Sequence, residues 1–198
     1  MNISKIVEEI KKGNLVITPT DTIYGILADA NNINAVKKVF ECKNRSKAKP
    51  LLLIVDSIEM LQDYTQNISS LEKEIMEKYF PGKLTMLLHK NSKVSDEITC
   101  GSDLVGIRIP DNKDLIEIIR SVGNPLISTS ANISGQNSIT NPKEIEPELL
   151  KYIAYVEDKG TINSEPSSLI KIDGNEIKVL RDGSVASKIL SDYPNNKD

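Results

Sequence analysis

The sequence is poor in the residues that metal cages and stacking surfaces require. It has no tryptophan, 4% aromatic residues, two cysteines and one histidine in 198 residues. Proteins that coat single-stranded nucleic acid stack bases on aromatic side chains, so this composition disfavours such a coat. Cys42 and Cys100 have no partners at metal-ligand spacing, and His89 alone does not complete a zinc site with them. No metal site is expected from these residues.

Long apolar runs and excess positive charge are also absent. No stretch approaches the ~18 apolar residues of a membrane span, and the N-terminus does not have the pattern of a secretory signal. The net charge is −3, which argues against the broad cationic surface of sequence-independent phosphate binders. We therefore expect a cytoplasmic protein with reduced thiols, in which any basic site is local.

The rest of the composition is typical of one soluble globular domain. Hydrophobic residues make up 39% and charged residues 27% of the chain, which is long enough to bury a sizeable core. Residues 1–190 are predicted to form the domain and residues 191–198 a polar C-terminal tail. Apolar strand-like segments alternate with amphipathic helical ones, the first of which ends before Gly13. This alternation predicts a mixed α/β fold.

Three segments allow specific predictions of secondary structure. The run PLLLIVD, residues 50–56, is continuously apolar, which is typical of a central strand buried on both faces. Residues 69–80 predict a serine-capped amphipathic helix that ends before Pro81. His89 follows the apolar letters TMLL and is interpreted as a strand residue rather than a general base.

The stretch CKNRSKAKP, residues 42–50, has a cation at every second position: Lys43, Arg45, Lys47 and Lys49. If this stretch is extended, the four side chains share one face at a repeat of ~7 Å and form a groove for an anion. A solvated loop is the plainer alternative for a lysine-rich run.

Two polar loops follow apolar strand segments. The segment PLISTSANISGQ, residues 125–136, places Ser130 and Asn132 after a strand, where hydroxyl, amide and backbone N–H groups often bind phosphates. The segment TPTDTIYG, residues 18–25, offers three threonine hydroxyls and a carboxylate to a small polar ligand. Either loop could instead be a turn that satisfies its own backbone.

Two arginines stand on otherwise apolar strands, Arg108 in GIRIP and Arg181 in VLRDG. A guanidinium is costly to bury there unless it meets a carboxylate or a phosphate, and an isolated ion pair is the simpler of these explanations. The sequence contains no G-x-x-x-x-G-K-[ST], G-x-G-x-x-G or G-x-S-x-G motif. Any nucleotide site must therefore use another architecture.

Six motifs occur in order between Pro19 and Gly183: PTDTIYG, KNR followed by KPL, FPGKLT, GIRIP, TSANISG and LRDG. Together they resemble the YrdC-like family, which includes bacterial threonylcarbamoyl-AMP synthases. The resemblance covers most of the chain and implies a single YrdC-like domain: a twisted mixed sheet flanked by helices, with a concave nucleotide-binding cleft. Because the chain ends soon after Gly183, it resembles the short family form without an appended domain.

The resemblance implies an enzyme, an L-threonylcarbamoyladenylate synthase of the nucleotidyltransferase class. In that reaction L-threonine and bicarbonate form a carbamate, whose carboxylate attacks the α-phosphate of ATP, releases pyrophosphate and leaves threonylcarbamoyl-AMP. Mg²⁺ is expected to accompany ATP. The product is expected to pass to a tRNA threonylcarbamoyl-transfer complex, and a weak direct contact with tRNA is a further expectation.

Two alternatives of different class stay open. A carbamoyl-adenylate synthase of the kind found within hydrogenase-maturation proteins uses the same core on carbamoyl phosphate, although other domains accompany it there. The second alternative is an RNA-binding or ribosome-associated module that uses its cations without catalysis, which the acidic balance and the shortage of aromatics disfavour.

The resemblance also implies residue roles. Its signature tetrad, expected to be catalytic, is Lys43, Arg45, Ser130 and Asn132. Nucleotide contacts are expected from Arg45, Lys49, Asn132, Thr140 and Arg181. Contacts to the other substrate are expected from Thr22, Arg108, Ser130, Ser167 and Ser168, with Arg108 on the threonine carboxylate. Ile54 stands where many relatives have histidine, so a threonine contact from that histidine is absent or replaced in this chain.

Overall fold

The computed structural model describes residues 1–162 and 164–194. These residues contain eight α-helices and nine strands. The α-helices are α1 (Ile3–Lys11), α2 (Ile33–Cys42), α3 (Ile58–Tyr64), α4 (Ser70–Tyr79), α5 (Asp96–Thr99), α6 (Lys113–Val122), α7 (Pro147–Leu150) and α8 (Ala186–Asp192). A short 3-10 helix, Pro142–Glu144, precedes α7. The strands are β1 (Leu15–Pro19), β2 (Tyr24–Asp29), β3 (Leu52–Ile54), β4 (Leu84–His89), β5 (Leu104–Arg108), β6 (Leu126–Ser130), β7 (Ile153–Val156), β8 (Ser168–Asp173) and β9 (Glu176–Arg181).

The nine strands form one sheet in the order β7-β1-β2-β6-β3-β5-β4-β8-β9. Three neighbouring pairs are parallel, namely β1 with β7, β3 with β5 and β4 with β8. The other five pairs are antiparallel. The predicted mixed α/β fold, with a mixed sheet flanked by helices, is therefore confirmed.

Several predicted elements are found where the sequence placed them. β3 is the middle strand of the nine and is buried as expected, although it covers only three of the seven residues in 50–56. α4 begins with a capping box, in which the Ser69 hydroxyl accepts from the Glu72 N–H and the Glu72 carboxylate accepts from the Ser69 N–H. His89 is the last residue of β4 and is exposed, in agreement with its interpretation as a strand residue.

Three elements were missed by the sequence prediction: β2, α3 and α5. Tyr24 and Gly25, assigned to a loop, begin β2, which is the antiparallel partner of β1. The Thr20 N–H donates to the Ile23 carbonyl and closes the short turn between the two strands. Polar turn residues and a glycine obscured the start of this strand, and α3 and α5 are too short for a clear helical period.

The two faces of the sheet are covered unequally. α1 and α6 pack on one face, where Ile6 and Ile119 contact strand residues such as Leu126. A larger cluster that includes residues of α2 and α4 covers the opposite face. On the first face Leu27 belongs to the cluster under α1 and α6, and its cross-strand partner is Ser128. The same face therefore continues from an apolar part into a polar one.

α8 ends at Asp192, so the segment predicted as a tail, residues 191–198, begins within the last turn of this helix. Residues 195–198 of that segment lie outside the described residues. Among the helices that the structure describes, none combines the length and the apolar character needed to cross a membrane.

Candidate active site

A cavity of about 240 Å³ lies over the polar part of the sheet. Within the described chain its charged lining residues are all arginines, and no carboxylate lines it. Hydroxyl groups of serine and threonine supply most of the remaining polarity, so the cavity favours an anionic ligand. The lining residues are Thr20, Thr22, Ile23, Gly25, Arg45, Leu52, Leu53, Ile54, Thr85, Arg108, Ser128, Thr129, Ser130, Ser138, Pro166, Ser167 and Arg181.

Strand geometry brings the serines of β6 into this cavity. Ser128 and Ser130 are two residues apart, so their side chains point to the same face of the sheet. Gly25 of β2 pairs with Ser130, and a Cβ at this glycine would lie 3.5 Å from the Ser128 hydroxyl and 3.3 Å from the Thr20 methyl. The absence of a side chain at Gly25 therefore keeps this part of the cavity open.

Lys43 is the most enclosed cation of the predicted tetrad, with 1% of its surface exposed. It follows the last residue of α2, and its Nζ donates to the Ser130 carbonyl, to the Asn132 carbonyl at 2.6 Å and to Asn132 Oδ1 at 3.0 Å. Burial lowers the pKa of Lys43 to about 7, although three oxygen acceptors match the three N–H donors of the ammonium form. Lys43 does not line the cavity and lies behind the end of β6.

Ser130 and Asn132 complete this cluster. The Ser130 hydroxyl donates to Asn132 Oδ1, and Asn132 Nδ2 donates to the Gln136 carbonyl. Ser130 lines the cavity, whereas Asn132 is buried beside it. Three of the four tetrad residues are thus joined by direct hydrogen bonds.

Arg45, the fourth tetrad residue, lines the cavity. Its Nε donates to the Lys49 carbonyl at 2.8 Å, and one Nη donates to the Pro50 carbonyl at 2.7 Å. Burial lowers the pKa of Arg45, and no carboxylate in the described chain forms an ion pair with it. Its positive charge is therefore available to a ligand.

The expectation of an extended cationic face over residues 42–50 is wrong. α2 continues to Cys42, Asn44 has a left-handed φ of 46°, and the following residues form turns. Because the chain turns rather than extends, only Lys43 and Arg45 point inward, while Lys47 and Lys49 are exposed. The segment is neither a groove of four cations nor a simple solvated loop.

Arg108 is the last residue of β5 and has an acidic partner. Its guanidinium forms an ion pair with Asp21, its Nε donates to the Gly82 carbonyl at 2.9 Å, and its Nη1 donates to the Thr22 hydroxyl at 3.3 Å. Burial lowers the pKa of Arg108, while the charge of Asp21 opposes that shift. Arg108 and Thr22 line the cavity, and Asp21 lies behind them.

Arg181 at the end of β9 closes another side of the cavity. Its Nε donates to the Ser167 carbonyl and one Nη donates to the Ser167 hydroxyl, both at 2.8 Å. That hydroxyl also lies 2.8 Å from the Thr85 hydroxyl. Desolvation by the surrounding protein lowers the pKa of Arg181, and the positive charge of Arg108 lowers it further. Two like charges therefore face one cavity, and an anion there would relieve their repulsion.

The remaining predicted residues lie outside the cavity wall. Ser168 is fully buried, and its hydroxyl accepts from the Val185 N–H on the far side of β8. Thr140 donates its N–H to Glu144, and its carbonyl accepts from Ile162. Lys49 contributes its carbonyl to Arg45 rather than its ammonium group to the cavity. Of the predicted site residues, the structure brings six to the wall: Thr22, Arg45, Arg108, Ser130, Ser167 and Arg181.

Several lining residues were not predicted individually. Thr85 lies in the motif FPGKLT, and Ser128 lies two positions before Ser130 on the same strand face. Ser128 belongs to the polar segment 125–136 that the sequence indicated as a phosphate site, and strand alternation places it on the same face as Ser130. Ser138 and Pro166 come from loops, where the sequence gives no comparable signal. Ile54 lines the cavity as an apolar wall residue.

The lining does not fit a protein-built Mg²⁺ site. Mg²⁺ in proteins usually takes one or two carboxylates together with substrate phosphates, and this wall offers hydroxyls and guanidinium groups. Across residues 1–162 and 164–194, no group of three or more His, Cys, Asp or Glu side chains is placed to hold a metal ion. The described residues therefore offer no carboxylate set of the kind that holds Mg²⁺.

Residues 8–183 match the sequence profile of the Sua5/YciO/YrdC family, which is described as telomere recombination. A Methanocaldococcus jannaschii protein, provisionally assigned as a threonylcarbamoyl-AMP synthase, is 41% identical over 93% of this chain and 86% of its own length. The threonylcarbamoyl-AMP synthase of Bacillus subtilis is 33% identical over 90% of this chain. The chain spans 52% of the length of that relative.

Solved structures agree with these sequence matches. The crystal structure of Pyrococcus abyssi Sua5 complexed with L-threonine superposes with a TM-score of 0.91 at 30% identity, covering 98% of this chain and 57% of that one. Escherichia coli YciO, at 22% identity, shares the fold with a TM-score of 0.83 over 93% of this chain and 91% of its own. By the match over residues 8–183, the identity to its relatives and the shared fold, the chain belongs to the Sua5/YciO/YrdC family.

Proposed function

We propose that this protein is an L-threonylcarbamoyl-AMP synthase, which converts L-threonine, bicarbonate and ATP into threonylcarbamoyl-AMP and pyrophosphate. The observation that carries the proposal is a cavity lined by three arginines, by many hydroxyls and by no carboxylate of the described chain. The names of the relatives, and the L-threonine in the P. abyssi structure, support the choice of reaction.

Phosphoryl chemistry of this kind depends mainly on positioning and on charge neutralisation. We assign the triphosphate to Arg45 and Arg181, because their hydrogen bonds go to carbonyl and hydroxyl groups and leave their charges uncompensated. Both guanidinium groups can then neutralise negative charge that develops as pyrophosphate departs. Ser130 supplies a hydroxyl at the end of β6.

We assign the carboxylate of threonine to Arg108 and Thr22, which lie together on the wall. Lys43 and Asn132 are tetrad residues that do not line the cavity, so we assign them to holding Ser130 and the end of β6 in place. Lys49, Thr140 and Ser168 have no direct substrate role in this assignment. Mg²⁺, bound to the ATP phosphates, would add positive charge at the departing pyrophosphate.

We further propose that the protein works in the cytoplasm and passes its product to a tRNA threonylcarbamoyl-transfer complex. A carbamoyl-adenylate synthase and an RNA-binding module without catalysis are the competing functions. The first would use carbamoyl phosphate, and the second would bind tRNA in a salt-sensitive manner without turnover of ATP.

The direct test is pyrophosphate release by the purified protein with ATP, Mg²⁺, bicarbonate and L-threonine, each omitted in turn. Release that requires both threonine and bicarbonate supports the proposed function. Release that requires carbamoyl phosphate instead indicates the carbamoyl-adenylate synthase. Binding of ATP without any turnover contradicts the synthase function.

A further inference from the structure

Asp21 is a buried carboxylate that the proposed function leaves without a role. It forms an ion pair with Arg108, and 8% of its side chain and 10% of the Arg108 side chain are exposed. Its second oxygen accepts from the Asp111 N–H at 3.3 Å. Asp21 itself does not line the cavity, so it touches Arg108 from behind rather than competing for the ligand space.

The hydrogen bonds of Arg108 leave a defined pair of donors. A guanidinium has five N–H groups, and the described bonds to Gly82, Thr22 and Asp21 use one each on Nε, Nη1 and Nη2. One N–H on each Nη therefore has no protein acceptor among the described bonds. Two N–H groups on neighbouring nitrogens are the number that one carboxylate accepts in a forked pair.

We propose that Asp21 is a positioning residue that fixes the guanidinium of Arg108 and thereby makes this end of the cavity selective for the carboxylate of the amino-acid substrate. The inference rests on the proposed function for the identity of that substrate. It adds a residue outside the cavity wall that determines how well the carboxylate is recognised.

The charges around the cavity support this role. Arg108 has a carboxylate partner, whereas Arg45 and Arg181 have only carbonyl and hydroxyl partners in the described chain. The Arg108–Asp21 pair is neutral overall and suits a ligand with one carboxylate, while the unpaired arginines suit phosphates. Without Asp21, the buried guanidinium of Arg108 would have no counterion. The positive charge of Arg181 would then repel it without compensation.

The test compares Asp21→Asn with the wild-type protein in steady-state kinetics. We expect the KM for L-threonine to rise ~10-fold or more, because a misplaced guanidinium binds the carboxylate poorly. The kcat at saturating threonine and the KM for ATP should stay within about twofold, since the phosphate contacts are untouched. A wild-type KM for threonine in Asp21→Asn overturns the proposal.

A matched control is Asp56→Asn. Asp56 also pairs with an arginine, Arg120, at 3.2 Å, but this pair lies away from the cavity and its arginine is 64% exposed. Its removal should leave the KM for threonine unchanged. An equal rise in both variants would mean that loss of any such ion pair has the same effect, which also overturns the proposal.

A binding measurement separates this inference from the reaction. Calorimetry with L-threonine and L-threonine amide, which lacks the carboxylate, measures carboxylate recognition without turnover. We expect the wild type to prefer threonine ~10-fold or more and Asp21→Asn to lose most of that preference. If the wild type binds threonine with this preference but releases no pyrophosphate, the synthase function fails and the role of Asp21 stands. If Asp21→Asn keeps the full preference, the role of Asp21 fails and the synthase function stands.

The charge-retaining variant Asp21→Glu guards against a folding defect in Asp21→Asn. Its extra methylene moves the carboxylate by about 1.5 Å while keeping the counterion of Arg108. Thermal unfolding followed by circular dichroism verifies that each variant is folded at the assay temperature. A folded Asp21→Glu should also show a raised KM for threonine with little change in kcat, and a KM like that of the wild type contradicts the proposal.

Discussion

The Lys43 ammonium nitrogen lies 3.0 Å from Asn132 Oδ1, and neither residue lines the cavity. Lys43 also donates to the backbone carbonyls of Ser130 and Asn132. Together with Asn132 Oδ1, three oxygens at the end of β6 therefore accept hydrogen bonds from one buried lysine. The lysine therefore contacts the strand end that borders the cavity and not the cavity itself. This arrangement separates the tetrad into two residues that line the cavity, Arg45 and Ser130, and two that lie behind its wall.

Replacement of Lys43 by methionine should lower kcat ~10²-fold or more, because Ser130 and Asn132 lose the donor that positions them. Pyrophosphate release measures the effect. Lys47→Met is the control, since Lys47 lies in the same segment and is exposed. Adding Ser130→Ala to Lys43→Met should cost little more, because the two residues act as a unit. A near-normal rate in Lys43→Met would remove the positioning role.

The buried lysine also predicts a pH dependence of stability. Its pKa of about 7 in the folded protein is lower than its ordinary value of 10.5, so the unfolded chain binds more protons between these values. The free energy of unfolding of the wild type, relative to Lys43→Met, should therefore rise with pH, by about 2 kcal/mol from pH 7 to pH 9. Urea unfolding at the two pH values measures it. An unchanged difference would mean that Lys43 keeps an ordinary pKa.

Replacement by alanine should lower activity much more at Arg45 than at Lys49. Arg45→Ala removes an uncompensated charge from the cavity wall and should reduce kcat/KM for ATP ~10²-fold. Lys49→Ala should stay within a few-fold of the wild type, because only the Lys49 carbonyl contacts Arg45 and its ammonium group is exposed. Equal losses in the two variants would restore the idea of a cationic face along this segment.

Ser167 and Ser168 form a natural matched pair. Ser167→Ala removes the hydroxyl that accepts from Arg181 and contacts Thr85, so the KM for ATP should rise several-fold. Ser168→Ala removes a hydrogen bond from the Val185 N–H and should lower the free energy of unfolding by about 1 kcal/mol without changing that KM. Kinetics and urea unfolding on both variants test the assignment, which is wrong if Ser168→Ala also raises the KM.

Strong local patterns made much of the fold predictable from the sequence. The continuous apolar run around Leu53 indicated a central strand, and the serine at the start of residues 69–80 indicated the start of α4. The start of β2 was hidden because a polar turn and Gly25 interrupt the apolar pattern. α3 and α5 are held in place by their contacts and caps more than by periodicity.

The motifs that form the site could be identified from the sequence. The directions in which their side chains point could be predicted less well. Alternating cations in residues 42–50 resemble a strand, yet the left-handed Asn44 and the preceding helix send Lys43 inward and Lys49 outward. Sequence spacing does not reveal such a change of direction. Likewise, Ser167 and Ser168 are neighbours, yet the Ser167 hydroxyl accepts from Arg181 on the cavity wall and the Ser168 hydroxyl accepts from the Val185 N–H. This difference depends on where the folded chain brings Arg181 and Val185.

The most direct test of the proposed function is a mass-spectrometric assay with ¹³C-labelled bicarbonate, L-threonine, ATP and Mg²⁺. The proposal predicts a threonylcarbamoyl-AMP that carries the label, formed together with pyrophosphate, and its disappearance when threonine is omitted. Pyrophosphate without a labelled adenylate, or no turnover at all, would contradict the proposal that the arginine-lined cavity joins a threonine carbamate to AMP.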